Sequence, residues 1–113
     1  MASTFRNNVT AGVGTGRTQV YAVPASTTST IIGLSLSNVT GSGVEANVML
    51  ADNSGYQGVR EAHMIKNGPV PVGGSLVVVG GDQKLVMENT DNICVESSSA
   101  DSLDVIVSIL EQT

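Results

Sequence analysis

Between residues 64 and 97 the chain repeats one pattern: a short apolar run, a cluster of turn formers, then another apolar run. Leu76, Val78 and Gly80 fall on one face of an extended segment, Leu85 and Met87 on one face of the next, and Ile93 and Val95 on one face of a third. A period of two means strands, because successive side chains of a strand point to opposite sides of the sheet. The intervals are turn chemistry. Asn67, Gly68, Pro69 and Pro71 with Gly73 and Gly74 predict an extended, proline-stiffened connection, residues 80–82 a short reversal, and residues 89–92 another. The stretch reads as a β meander, not as a site.

The rest of the chain follows the same rule. Residues 17–23 set Thr18, Val20 and Ala22 against Gln19, Tyr21 and Val23 and stop at Pro24, which has no N–H to give to a ladder. Residues 30–38 put Ile32, Leu34 and Leu36 on one face and Ile31, Gly33, Ser35 and Ser37 on the other. The run VTGSG at 39–43 predicts a hairpin loop that returns into Val44, Ala46, Val48 and Leu50 as an antiparallel partner. Residues 52–56 predict a loop, and residues 59–66 a poorly sorted strand expected at an edge. Leu103, Val105, Val107 and Ile109 alternate with Asp104, Ile106, Ser108 and Leu110; apolar residues on both faces predict a central strand or one packed against a partner chain. No segment shows a capped helical period, and no internal repeat is visible. About eight short strands therefore predict an all-β fold, a single antiparallel β-sandwich of jelly-roll or immunoglobulin-like topology.

Residues 1–16 stand apart. They are rich in Ser, Thr, Asn and Gly, with Gly12, Gly14 and Gly16 at every second position and Phe5 as the one large aromatic. Such a segment buries too little to offset a backbone ordering cost of about 1–2 kcal/mol per residue. It is predicted to be an N-terminal arm, floppy alone or laid on a neighbour, with the sandwich domain spanning 17–113.

Composition narrows the function. A chain of 113 residues is one domain, and with three aromatics (Phe5, Tyr21, Tyr56) and no Trp its core must be aliphatic and thin. Such a sandwich gains by burying a face or an edge against its own copies, so a homo-oligomer is expected. The net charge of −5, the pI near 4.5 and five scattered cations oppose nucleic-acid binding, which needs clustered Lys and Arg to neutralise phosphates. No apolar run suits a signal sequence or reaches the roughly 20 residues of a membrane span, so a soluble protein without a membrane partner is expected. The lone Cys94 can form no internal disulfide. Asn8 and Asn38 each open an Asn-Val-Thr triplet, an acceptor pattern that matters only in a secreted chain.

The chemistry-bearing residues do not assemble into a catalytic pattern. His63 is the single histidine and has no second ligand at metal spacing, and Cys94 has nothing basic beside it in sequence to lower its pKa. Ser42 lies in Gly41-Ser42-Gly43, which is not a nucleophile elbow. The carboxylates Glu88, Asp91, Glu96, Asp101 and Asp104 could converge on Ca²⁺ yet lack calcium-loop spacing. GVGTGR at 12–17 is followed by no helix, so it is not a phosphate cradle. The expectation is a non-enzyme with no catalytic residue, no cofactor and no metal.

Several short motifs carry a resemblance: Tyr21 with Pro24-Ala25, Leu36-Ser37-Asn38, Lys66-Asn67 followed by two prolines, and Ser108-Ile109-Leu110-Glu111. With them the chain resembles small virion structural proteins of tailed bacteriophages, notably cyanophages, over nearly its whole length. The resemblance implies a capsid decoration (cement) protein that self-associates, as a trimer, and binds other virion proteins, such as the major capsid protein, in a particle assembled in the host cytoplasm. A neck, collar, tail or fibre component is the alternative within that class. A carbohydrate-binding module is a third reading, weakened by the few aromatics available to stack on sugars. The interface residues expected are Phe5 and Arg6 in the arm and Ile106 and Leu110 on the back of the last strand.

Overall fold

The computed structural model describes residues 2–52, 60–80 and 82–113. Most of the predicted loop at 52–56, Val59 at the start of the edge strand and Gly81 in the predicted reversal lie outside the described residues. Among the described residues there are nine strands and no helix: β1 Ser3–Val13, β2 Thr18–Ala22, β3 Thr28–Asn38, β4 Val44–Asp52, β5 Arg60–Val70, β6 Ser75–Val79, β7 Leu85–Met87, β8 Asn92–Ser97 and β9 Leu103–Gln112. No helix is therefore long and apolar enough to cross a membrane.

The strands form two antiparallel sheets. Sheet A runs β1-β9-β3-β6, with β7 also paired to β3; sheet B runs β2-β8-β4-β5. β6 pairs with Leu34–Ser37 and β7 with Ser29–Ile31, so the two are successive pieces of one strand position along the same side of β3. Counted that way, four positions face four, and every connection except β4-β5 passes from one sheet to the other or skips a strand. This is jelly-roll order, and it excludes the immunoglobulin-like alternative, in which consecutive strands pair within a sheet.

Four expectations are corrected by this topology. Residues 39–43 are not a hairpin: β3 and β4 lie in different sheets, and the loop is a crossover. It is fastened by Asn38, whose side-chain amide donates to the carbonyls of Ser42 (2.8 Å) and Val70 (3.0 Å) while its Oδ1 accepts from Thr40 N–H. The chain does not reverse between β6 and β7, because both run antiparallel to β3; the glycine-containing gap interrupts an edge and does not turn it. The meander is therefore absent, and β8 crosses to sheet B. Residues 67–70, expected as a connection, continue β5 beside β4. Pro69 is tolerated because β5 is the sheet edge, as expected from its unsorted pattern.

The N-terminal segment also differs from the arm of the sequence reading. Residues 3–13 are the edge strand β1, paired with β9 from Ser3↔Gln112 to Val13↔Leu103. The segment is ordered on its own chain because β9 offers it a free ladder edge. Its side chains bury little: residues 2–9 are exposed, and only Val13 enters the core.

The core is the aliphatic layer between the sheets. Ile31, Leu34, Leu36, Val105, Val107 and Ile109 from sheet A meet Val20, Val44, Ala46, Val48, Ile93 and Val95 from sheet B, all essentially inaccessible. Bulges set which residues enter. A register shift between Ile31 and Gly33 turns Ile32 outward, so Ile31, Leu34 and Leu36 share the inner face and the sequence reading of Ile31 and Ile32 is exchanged. A second shift between Gln19 and Tyr21 lets both Val20 and Tyr21 point inward.

Candidate interaction face

The alternation of β9 leaves Ile106, Ser108 and Leu110 on the outside of sheet A once Val105, Val107 and Ile109 are committed to the core. β1 then sets Val9 opposite Ile106, Asn7 opposite Ser108 and Phe5 opposite Leu110. On the other side β3 sets Ser35 beside Ile106, Gly33 beside Ser108 and Thr30 beside Leu110. Beyond it β6 places Val77 next to Ser35, and β7 places Val86 next to Thr30.

Two rows therefore cross the sheet from edge to edge, Val9-Ile106-Ser35-Val77 and Phe5-Leu110-Thr30-Val86, with the small row Asn7-Ser108-Gly33 between them. Phe5 (75% exposed), Val77 (64%), Val9 (63%), Val86 (62%) and Ile106 (47%) are five of the large apolar residues most exposed on the described chain. All five lie on this one face; Val39 and Val72, the others of that kind, sit in loops. None of the three rows contains a charged residue, in a chain whose net charge is −5.

Three of the four residues expected at an interface, Phe5, Ile106 and Leu110, are thus neighbours on one surface. Arg6 is not with them. It is paired with Ile109 in register, points to the opposite side of β1, and donates from Nε to Glu111 Oε1 at 2.6 Å. The second oxygen of that buried carboxylate accepts from Tyr21 Oη at 2.6 Å, and Tyr21 Oη also lies 2.7 Å from Ser29 Oγ. This network ties sheet B to sheet A at the open end of the core. Burial and the neighbouring Glu111 push the Tyr21 phenol up to about 12. Val9, Val77 and Val86 were missed by the sequence reading. For Val77 and Val86 a partial signal was available, since each lies inside an apolar run where strict alternation would call for a polar residue on the water side; Val9, between Asn8 and Thr10, carried none.

The outer face of sheet B has a different character. Cys94 is in register with Met49 and Met49 with His63, so one strand separates the thiol from the imidazole, about 10 Å in the ladder direction. Burial pushes the Cys94 thiol up despite the nearby Arg17, which leaves it a poor nucleophile. Arg17 instead bridges to Glu61 at 2.5 Å, and that hydrogen bond raises its pKa. The five carboxylates considered for Ca²⁺ do not converge. Glu96 accepts from Asn47 on sheet B, Asp104 accepts from Gly12 N–H on sheet A, and Glu88 and Asp91 lie with Asp52, their carboxylate oxygens within 4.8 Å of one another. Asn38 is buried, its amide committed to the crossover, so the second acceptor triplet is closed to modification. Tyr21 is buried as well, which leaves Phe5 the exposed aromatic among the described residues.

No protein-family model and no curated protein matches the sequence. Among solved structures, the chain is similar in fold to a chain of the acidic stable capsid structure of Helicobacter pylori bacteriophage KHP30. The TM-score is 0.51 at 9% sequence identity, over 98% of this chain and 87% of that one. A second similar structure is a chain of Bacillus endospore appendages, described as disulfide-linked pili, with a TM-score of 0.43 at 15% identity over 100% of this chain and 91% of that one.

Proposed function

We propose that this chain is a virion structural protein that works by binding proteins and catalyses nothing, and that it decorates the exterior of a phage capsid as a cement protein. The observation that carries this reading is the uncharged, apolar band across the outer face of sheet A, which Asp104 borders at one end. A sandwich with a sound core has no intramolecular need for Phe5, Val9, Val77, Val86 and Ile106 on its water side, and contiguous exposed apolar surface marks protein contact. The fold shared with a phage capsid chain supports the same class of role, as do the sequence motifs at residues 21–25, 36–38, 66–71 and 108–111. In this reading the partners are other virion proteins and further copies of this chain, and the site of action is the particle.

Mass spectrometry of purified particles tests it. Decoration predicts the chain in numbers comparable to the major capsid protein. Far fewer copies would move it to a neck or tail position, and its absence from particles would overturn the virion role.

A further inference from the structure

We infer that the outer face of sheet A is where a second copy of this chain packs, sheet against sheet, as a two-fold pair. This rests on the reading of the protein as one that binds proteins, and it names the surface and the partner. Two observations select a second copy as the occupant. The first is charge: a chain at −5 repels its own copies wherever carboxylates face each other, and the rows Val9-Ile106-Ser35-Val77 and Phe5-Leu110-Thr30-Val86 form an uncharged band on a face where Asp104, at the end of β9, is the charged strand residue beside them. The same lack of charge gives an oppositely charged partner nothing to recognise. The second is area. Four strand positions about 4.8 Å apart and about ten residues long make a footprint of about 600 Å², and side-chain relief brings it near the roughly 800 Å² per partner of a stable contact.

The relief also suits self-packing. Between the rows lie Asn7, Ser108 and Gly33, with Ile32 turned outward by the bulge beside Gly33, so the face carries side-chain relief, and two such faces can pack about 10 Å apart as sandwich sheets do. A face that meets itself closes as an isologous pair, which leaves no copy of the surface unsatisfied. That geometry gives a dimer in place of the trimer the sequence resemblance implies.

Sedimentation velocity on the full chain at micromolar concentration tests this, with circular dichroism to check folding. The wild type is expected at dimer mass. Ile106→Asp, in the centre of one row, and Val77→Lys, at the exposed edge, are each expected to weaken association at least ten-fold, while Gln19→Asp on sheet B leaves it unchanged. If Ile106→Asp fails to fold, Val77→Lys decides alone. A monomeric or trimeric wild type, or a dimer indifferent to Val77→Lys, would overturn the inference. These outcomes are independent of the particle census: a chain absent from virions can still dimerise through this face, and a virion protein can fail to.

Discussion

At the level of single residues, the chain places its few polar interior groups where they close the sandwich. Glu111 is held by Arg6 from one strand and by Tyr21 from the other sheet, so both carboxylate oxygens are occupied. Replacing Tyr21 with Phe removes a hydrogen bond to a charged group and is expected to cost about 1.5–3 kcal/mol of stability near neutral pH, read from urea midpoints. The same substitution has a pH signature. A phenol raised from its ordinary 10.0 to about 12 in the folded state is protonated there while the unfolded chain already ionises. Stability from this group is therefore complete below pH 10 and is lost as the pH rises toward 12. The wild type should lose stability between pH 8 and pH 11.5, and Tyr21→Phe should lose measurably less over that interval. Asn38 makes a second residue-level case. Asn38→Ala leaves the Val70 and Ser42 carbonyls without their donor and is expected to cost about 1–3 kcal/mol, measured the same way, by loosening the crossover between β3 and β4.

At the level of elements, β2 to β4 and β6 to β9 were legible because each buries one face, and half-burial writes a period of two into the sequence; β5, mostly exposed, read only as an unsorted edge. β1 was not legible for the same reason turned round. Both its sides meet water from Ser3 to Val9, so no burial constrains those positions and they read as an unstructured arm. The loop after Asn38 misled because alternation reports that two strands exist and is silent on whether the link between them stays in one sheet. Of the candidate face, Phe5, Ile106 and Leu110 were legible as apolar residues away from the core. Val9, Val77 and Val86 gain significance only when pairing brings three separate strands into shared rows. Arg6 takes the other side of β1 from Phe5, and nothing in the polar run of residues 1–8 shows which side it takes. These facts bear on what β1 does. Deleting residues 1–9 keeps Val13 in the core but strips most of the β1 ladder from β9 and takes Arg6 from Glu111, so differential scanning calorimetry should show a folded domain with a melting temperature lowered by roughly ten degrees or more. The deletion removes Phe5 and Val9, one end of each row, and should abolish dimerisation in the same preparation.

At the level of the whole molecule, the balance lies between an apolar face that attracts and a net charge that repels. The described chain extends 45 × 27 × 23 Å, so its surface charges and those of a docked copy lie within tens of ångströms of each other. At an ionic strength of about 0.02 M the screening length is about 20 Å, and much of the mutual repulsion of two chains at −5 is felt across the pair; at about 0.5 M it shrinks to about 4 Å and the repulsion fades. Apolar burial does not weaken over this range. Association through the outer face of sheet A should therefore tighten as salt is added, by several-fold in Kd between those two conditions, and the gain should be absent in Val77→Lys, whose contact is already broken. A contact built from complementary charges would respond in the opposite direction, since screening removes the attraction that holds it. Dissociation constants measured by sedimentation at the two ionic strengths separate the cases by sign alone: tightening with salt is the behaviour of two acidic chains joined across an apolar band, and weakening with salt would place the joint on the charged outer face of sheet B, where Arg17, Glu61 and Glu96 lie.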